Sequence, residues 1–326
     1  MKFLQKRPLL PVVRSKAYVL YDFSQDKPDR YAIKHNFHYL SYHISQDKPD
    51  HYTMKHKLIS TESNRLLSYF NEKSQFSFRY AEAFDALPKA SESAVKELLS
   101  DMTKRGLLMR LKEGVYYIIP YESDSVSFMP DWHLIAGPLA GEIEHYIGYY
   151  SALQIHNLVT QPSLKEQIVV SQQMRPSTVK VKGIPFQFIY HNPKHFFGAK
   201  KIWIDNFNKV QCSDLEKTFI DCLFKPDYAG GIVEIAGALF RSKDQLKYDV
   251  LLSYAVRFKS QAVVKRLGFL LEALGIQNKI IPELQKIKTA SYVPLDTKFP
   301  KSGKLLSRWS IQQNVETDTI NSSIIT

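Results

Sequence analysis

Small hydroxyls and cations recur at helical spacing in one short segment of this 326-residue chain. Two serines and two lysines follow one another at intervals of three or four between residues 93 and 104, which places them on one side of a helix. Ammonium groups bind phosphates, and short hydroxyl side chains let a helix approach base edges. We therefore predict a nucleic-acid contact made by Ser93, Lys96, Ser100 and Lys104, with Arg110 and Lys112 shortly after them.

Two acidic residues in the same segment argue against this prediction. Glu92 and Glu97 would repel phosphates if they faced the nucleic acid. Either both point away from it, or one accepts a hydrogen bond from a cytosine amino group. The sequence leaves the two alternatives open.

The segment is the third of three predicted helices. The first begins after Ser60 and places Leu66 and Phe70 at helical spacing, and the second, in SFRYAEAFDAL, ends before Pro88. The third has Ser91 as its N-cap and ends at Gly106, with one apolar stripe that faces a core. Its polar side is therefore predicted to face outward.

A hairpin is predicted directly after the third helix. In LLMRLKEGVYYIIP, apolar residues flank a turn at Glu113-Gly114, and Arg110 and Lys112 would meet the sugar-phosphate backbone. Three helices followed by a hairpin predict a winged helix-turn-helix over residues 57–120. Such a unit reads DNA with its third helix. The alternative left open is a protein-docking module that does not bind DNA.

The rest of the chain predicts an α+β fold. Strand-like segments between residues 167 and 207, with a turn at Lys182-Gly183, indicate a small and mostly antiparallel sheet. A helix follows, with Ser213 and Glu216 expected as a capping box, and further amphipathic helices extend to Gly275. We assign residues 124–290 to this larger mixed α+β domain and residues 291–326 to a tail.

Catalytic signatures are weak. His156 on a helical face is expected to be a hydrogen-bonded core residue, and Gly230-Gly231 is expected to be a turn and not a phosphate loop. Asp205, Asp214 and Glu216 could form a metal-dependent nuclease cluster, which stays a third hypothesis. Cys212 and Cys222 lack metal-ligand spacing and are expected to be buried thiols. We expect no enzyme activity, no cofactor and no metal.

Charge favours a polyanionic partner. Lys and Arg outnumber Asp and Glu by 44 to 32, a net charge of +12. Much of the excess lies outside residues 57–120, because residues 165–210 carry eight cations against two acids. Either the second domain also contacts a polyanion or an acidic protein, or its cations form a solvated surface. Few cysteines, no secretion signal and no long apolar run favour a cytoplasmic protein.

The first 56 residues contain a duplication. SQDKPDRYAIKH at residues 24–35 returns as SQDKPDHYTMKH at residues 45–56, with nine of twelve positions identical. These polar copies offer too few apolar side chains to stack into a core, so residues 1–56 are predicted to be a poorly ordered leader. Translation from upstream of the natural start, with Met54 as an alternative initiator, is an equal explanation.

Four blocks in order resemble a known family. RLKEGVYYI, YYSALQIHNL, SDLEKTFIDCLFKPDYAGGIVEIAGAL and RLGFLLEALG are similar to the AbiEi antitoxins of type IV toxin-antitoxin systems, over about Ser60 to Gly275. The resemblance implies a repressor that binds inverted repeats in operator DNA through the winged helix and opposes a nucleotidyltransferase-type toxin. On this chain it assigns the DNA contacts to Lys89, Ser91, Ser93, Lys96 and Lys104, with Arg110 and Lys112 on the wing. It assigns the antitoxin role to the C-terminal domain, without naming contact residues or deciding whether the toxin is touched directly.

Overall fold

The described part of the chain begins with three helices and a small sheet. The computed structural model describes residues 59–322, so the predicted leader lies outside the described residues. The antiparallel sheet has the strand order β1-β3-β2. In chain order the elements are α1 (Thr61–Glu72), β1 (Ser77–Arg79), α2 (Tyr80–Ala86), α3 (Glu92–Lys104), β2 (Leu108–Lys112) and β3 (Val115–Ile118).

The serines predicted to begin α1 and α3 cap these helices in the structure. The Ser91 hydroxyl accepts a hydrogen bond from the Ala94 amide at 3.3 Å, and Ser60 caps α1 in the same way through the Ser63 amide. After α3 the chain turns at Gly106, whose φ of 73° lies in the left-handed region that favours glycine. These contacts confirm the predicted beginning and end of the third helix.

One strand differs from the element predicted for it. The sequence pattern places Ser77–Arg79 in the second helix, but these residues form β1, which pairs with β3 along its whole length. Phe78 is buried there and stacks on Phe70, with ring centroids 4.3 Å apart. Pairing with a distant strand outweighs the local helical pattern because it buries this ring.

A six-stranded sheet forms the centre of the second region, in the order β6-β7-β5-β4-β9-β8. It is larger and more mixed than predicted, because the pairs β7/β5 and β4/β9 are parallel. The turn at Lys182-Gly183 is confirmed, with positive φ at both residues. The strands are β4 (His145–Ile147), β5 (Glu166–Val170), β6 (Thr178–Val181), β7 (Ile184–Tyr190), β8 (Ala199–Trp203) and β9 (Lys209–Ser213), and the helices α4 (His133–Ala140) and α5 (Tyr149–Ile155) accompany them.

Helices then form the largest apolar core. The first of them begins one residue later than predicted: Ser213 ends β9, and the Asp214 carboxylate caps the helix by accepting from the Lys217 amide at 2.8 Å. Glu216 makes no capping box, because its carboxylate accepts from the Lys247 amide at 2.8 Å. The helices are α6 (Leu215–Phe224), α7 (Ile232–Arg241), α8 (Tyr248–Phe258), α9 (Gln261–Ala273) and α10 (Ile280–Ile287).

The segment predicted to be a tail belongs to this helical core. Trp309 is 2% exposed, and its ring lies against Gly268 of α9 so closely that a Cβ on the glycine would lie 2.1 Å from ring carbons. Its indole nitrogen donates to Glu272 at 2.7 Å. The segment contains a three-stranded sheet and a last helix: β10 (Val293–Pro294), β11 (Lys304–Leu306), β12 (Ile311–Gln313) and α11 (Thr317–Ser322).

The β2–β3 hairpin joins the N-terminal helices to the six-stranded sheet. Leu108 and Ile118 pack in the core of the three helices, whereas Leu111, Val115 and Tyr117 pack in the core under α4 and the large sheet. Side chains on opposite faces of the hairpin therefore belong to two different cores. Within the described residues, no helix combines the length and the apolar character needed to cross a bilayer.

Candidate nucleic-acid interface

The polar side of α3 faces outward, as predicted. Val95, Leu99 and Met102 form its inner stripe and are all 0% exposed. The predicted contact residues on the helix and before it lie on the outer surface. Lys89, Ser91, Ser93, Lys96 and Lys104 are all exposed.

Charge on this surface is partly compensated within the helix. Lys96 Nζ lies 2.6 Å from a carboxylate oxygen of Glu92 one turn earlier. The ion pair lowers the pKa of Glu92 and raises the pKa of Lys96. Arg105 pairs in the same way with Asp101 at 2.7 Å. Since α3 holds three acids and two lysines, its outer surface is not strongly cationic.

Tyr80 fixes the position of the beginning of α3. Its hydroxyl donates to the Glu92 carbonyl at 3.1 Å, and its backbone amide donates to the Gly114 carbonyl at 2.7 Å. The first turn of α2 therefore contacts both the start of α3 and the tip of the hairpin. From its spacing in the sequence, Tyr80 is expected only as an inward residue of the second helix.

The two cations of the hairpin have different surroundings. Arg110 is exposed and lies opposite Tyr116, a residue of the core under the three helices, so it projects on the same side of the hairpin as those helices. Lys112 is half-buried instead, and its Nζ donates to the Leu139 carbonyl at the end of α4 at 2.6 Å. Burial lowers the pKa of Lys112. A phosphate contact by Lys112 would require this bond to break.

The acids of the nuclease hypothesis are each engaged elsewhere. Asp205 accepts bonds inside the β8–β9 loop, Asp214 caps α6, and Glu216 binds the Lys247 amide. In the part of the chain that the structure describes, no three metal-ligating side chains meet in a group suited to a metal ion.

The other candidates for chemistry are also engaged in structural contacts. His156 Nε2 lies 2.9 Å from the Ser213 carbonyl, and burial lowers the pKa of the imidazole. At Gly230-Gly231 the Ile232 amide at the start of α7 donates to Asp296 at 2.7 Å, so a carboxylate occupies the position that a phosphate would take. Cys212 and Cys222 are buried free thiols, as predicted.

A buried ionisable cluster went unpredicted. Lys217 and Asp221, one turn apart on α6, form an ion pair, and the hydroxyl of Tyr146 on β4 donates to Asp221 at 2.9 Å. His191 Nδ1 lies 3.8 Å from the same carboxylate, and its Nε2 lies 2.6 Å from the Tyr149 hydroxyl. The i, i+4 spacing of Lys217 and Asp221 was the available sequence signal. With side chains at most 2% exposed, this cluster fixes α6 on the sheet and does not face a substrate.

A second buried pair lies under α4. His133 Nδ1 lies 3.0 Å from a carboxylate oxygen of Glu166 on β5. The neighbouring carboxylate raises the pKa of His133 against the opposing effect of burial, and burial raises the pKa of Glu166. This pair therefore holds α4, and with it the hairpin bound to Leu139, against the sheet.

Comparison with known proteins identifies one solved structure with a similar fold. No family model matches the sequence, and no curated protein matches it. The crystal structure of the RV2827C protein from Mycobacterium tuberculosis superposes with a TM-score of 0.59 at 11% sequence identity, covering 82% of this chain and 96% of that chain. At such an identity the likeness concerns the fold alone. The chain is thus a mixed α+β protein that shares its fold with that structure.

Proposed function

We propose that residues 59–120 form a winged helix-turn-helix that binds operator DNA. The order of elements supports this, because three helices are completed by a sheet in which β1 pairs with β3 and β3 with β2. The observation that carries the proposal is the outward polar side of α3, whose opposite stripe is fully buried. A helix anchored by one face and polar on the other can enter the major groove.

Six of the seven contact residues that the family resemblance assigns have a defined task in this arrangement, and the seventh, Lys96, is paired with Glu92. Ser91 and Ser93 lie at the N-terminal end of α3, where a recognition helix meets base edges. Lys89, Lys104 and Arg110 are exposed and hold phosphates, which position the protein without reading sequence. Lys112 is assigned to the support of the hairpin and not to DNA, because its ammonium binds the Leu139 carbonyl.

The biological role follows from the AbiEi resemblance. We propose that the chain is a cytoplasmic antitoxin and autorepressor of a type IV toxin-antitoxin operon that opposes a nucleotidyltransferase-type toxin. Inverted repeats in the operator are the expected DNA partner. The larger C-terminal region, including the segment that ends with α11, is the candidate for the antitoxin role.

A mobility-shift titration tests the DNA proposal. The full chain should retard duplex DNA from upstream of its own gene, and the double variant Lys104→Gln, Arg110→Gln should bind more weakly. The slope of log affinity against log salt should fall by about 0.9 for each phosphate that the variant no longer binds. The matched control removes Lys301 and Lys304, two exposed lysines of the C-terminal segment. Equal binding by the two double variants would overturn the assignment of α3 and the hairpin.

Co-expression tests the antitoxin proposal separately. A toxin-like neighbouring gene should arrest growth when expressed alone, and this chain should relieve the arrest. Relief by the Lys104→Gln, Arg110→Gln variant, whose DNA binding is weakened, would assign neutralisation to the C-terminal region.

A protein-docking module without DNA binding is the second candidate. Two observations favour it: α3 carries more acids than cations, and both faces of the β2–β3 hairpin are buried against cores. The tip of the hairpin is also held by the Tyr80 amide, and Lys112 binds the Leu139 carbonyl, which leaves Arg110 as the exposed cation of the two strands. Failure of the purified chain to retard any promoter fragment would favour this candidate.

A further inference from the structure

The β8–β9 hairpin presents aromatic rings to solvent. Trp203 is 58% exposed at the end of β8, and Phe207 is 88% exposed in the loop that follows. Rings of this size are usually covered in a folded protein, and a group of exposed ones marks a surface that binds a partner. Phe207 is the most exposed large apolar side chain among the residues that the structure describes.

Strand pairing puts lysines beside these rings. Trp203 lies opposite Lys209, and Lys201 lies opposite Gln211, so the four side chains share one face of the hairpin. Lys209 Nζ lies 4.1 Å from the centroid of the Trp203 indole. The alternating residue Val210 points the other way into the core under α4. We call Lys201, Trp203 and Lys209 on this face, together with Phe207 of the connecting loop, the hairpin surface.

The loop holds Phe207 in a fixed position. The Asp205 carboxylate accepts hydrogen bonds from the backbone amides of Phe207 at 2.7 Å and Asn208 at 2.6 Å. The Asn208 side-chain amide donates to the same carboxylate at 2.8 Å, and the Ile204 amide closes the loop onto the Asn208 carbonyl. The backbone that carries the exposed ring is therefore preorganised, so less backbone entropy is lost when the ring binds.

Both acids of the surrounding segment are engaged. Residues 165–210 contain eight cations and two acids. Asp205 holds the loop, and Glu166 is 0% exposed beside His133. Hydrogen bonds from neutral amides leave the Asp205 carboxylate charged, but Lys201 and Lys209 together outweigh it, so this end of the hairpin keeps a net positive charge that favours a polyanion.

We propose that the hairpin surface binds single-stranded nucleic acid, at a site separate from α3. Unpaired bases stack on Trp203 and Phe207, and Lys201 and Lys209 hold the adjoining phosphates. Single strands fit because their bases expose the flat faces that a duplex keeps stacked. Aromatic rings are enriched in protein interfaces, but lysine is depleted there, so the two lysines beside the rings favour nucleic acid over a protein partner.

Fluorescence anisotropy of the full chain tests this proposal. The probe is a labelled single-stranded RNA or DNA of about 12 nucleotides, within the usual site sizes for such surfaces. Removing one stacked ring, as in Phe207→Ala, should weaken binding about five- to 150-fold. Phe299→Ala is the matched control, because that ring is 51% exposed on the C-terminal segment. Trp203→Phe should retain binding, since it keeps a ring at the same position.

Three results would overturn the proposal. One is the absence of an anisotropy change at the highest soluble protein concentration. Another is equal binding by Phe207→Ala and Phe299→Ala. The third is a parallel loss of duplex and single-strand binding in Phe207→Ala, which would make the hairpin part of a duplex interface. The Lys104→Gln, Arg110→Gln variant should keep its single-strand affinity, so failure of the operator proposal remains distinguishable from failure of this one.

Discussion

The ion pair at the start of α3 provides a sharp test of DNA binding. In the free protein the Glu92 carboxylate holds the Lys96 ammonium at 2.6 Å, and both side chains are more than 60% exposed. The change Glu92→Gln removes one negative charge from the proposed interface and releases Lys96. If α3 enters a groove, the released ammonium meets a phosphate. Affinity for operator DNA should then rise.

The size of the effect follows from counterion release. One added phosphate contact steepens the slope of log affinity against log salt by about 0.9. If Glu92→Gln and the unmodified chain bind equally at 1 M salt, this difference in slope makes the variant bind about fivefold more tightly at 0.15 M salt. Lys96→Gln should change affinity in the opposite direction because it leaves Glu92 facing phosphate. The double change Glu92→Gln, Lys96→Gln restores the charge balance and should return affinity close to that of the unmodified chain.

The assay is a duplex-binding titration at several salt concentrations with all three variants. Glu283→Gln is the matched control, because Glu283 pairs with Lys286 at 2.8 Å on the exposed side of α10. Glu283→Gln removes one negative charge in the same way, but outside the proposed interface, and should leave the slope of log affinity against log salt unchanged. If the slope for Glu92→Gln equals that of the control, Lys96 gains no phosphate contact and the reasoning is refuted. Weaker binding by Glu92→Gln than by the unmodified chain would also refute it.

Two further predictions concern stability. Gly268→Ala should lower the free energy of unfolding by about 1–3 kcal/mol or more, because the new Cβ would overlap the Trp309 ring. In urea titrations, adding Trp309→Leu to this variant should remove much of that loss. If the losses of the two single variants simply add in the double variant, the proposed contact is contradicted. Burial, with the charges of Lys217 and Lys225, lowers the pKa of His191 to about 2. Below pH 6.5 the imidazole is therefore protonated in the unfolded chain but not in the folded one. Between pH 7 and pH 5 the free energy of unfolding should fall by about 2 kcal/mol more in the unmodified chain than in His191→Gln. Identical dependence of stability on pH in the two proteins would refute this.

Local signals in the sequence were sufficient for several elements. Ser91 and Gly106 bound the third helix in the sequence as they do in the structure, since capping and left-handed turns depend on neighbouring residues. The turn at Lys182-Gly183 was predictable for the same reason. The same local logic failed at Ser213, because Asp214 one residue later offered an equally good cap.

The proposed interfaces were only partly predictable. The spacing from Ser93 to Lys104 determined which side of α3 is polar, because a helix repeats every 3.6 residues. Spacing gave no sign that Lys112 binds the Leu139 carbonyl, since those residues meet only when the hairpin docks on α4. The exposure of Phe207 was equally hidden, because an apolar residue in a loop is as often buried as displayed.

The sequence by itself determined the caps of α1 and α3, the polar side of α3 and the excess of positive charge, since each depends on residues close in the chain or on composition alone. Tertiary structure alone decided that the β2–β3 hairpin is shared by two cores, that Lys217, Asp221 and Tyr146 form a buried cluster, and that residues 293–322 complete the helical core. These features arise from contacts between residues far apart in sequence, and such contacts form only when packing buries apolar surface from several elements at once.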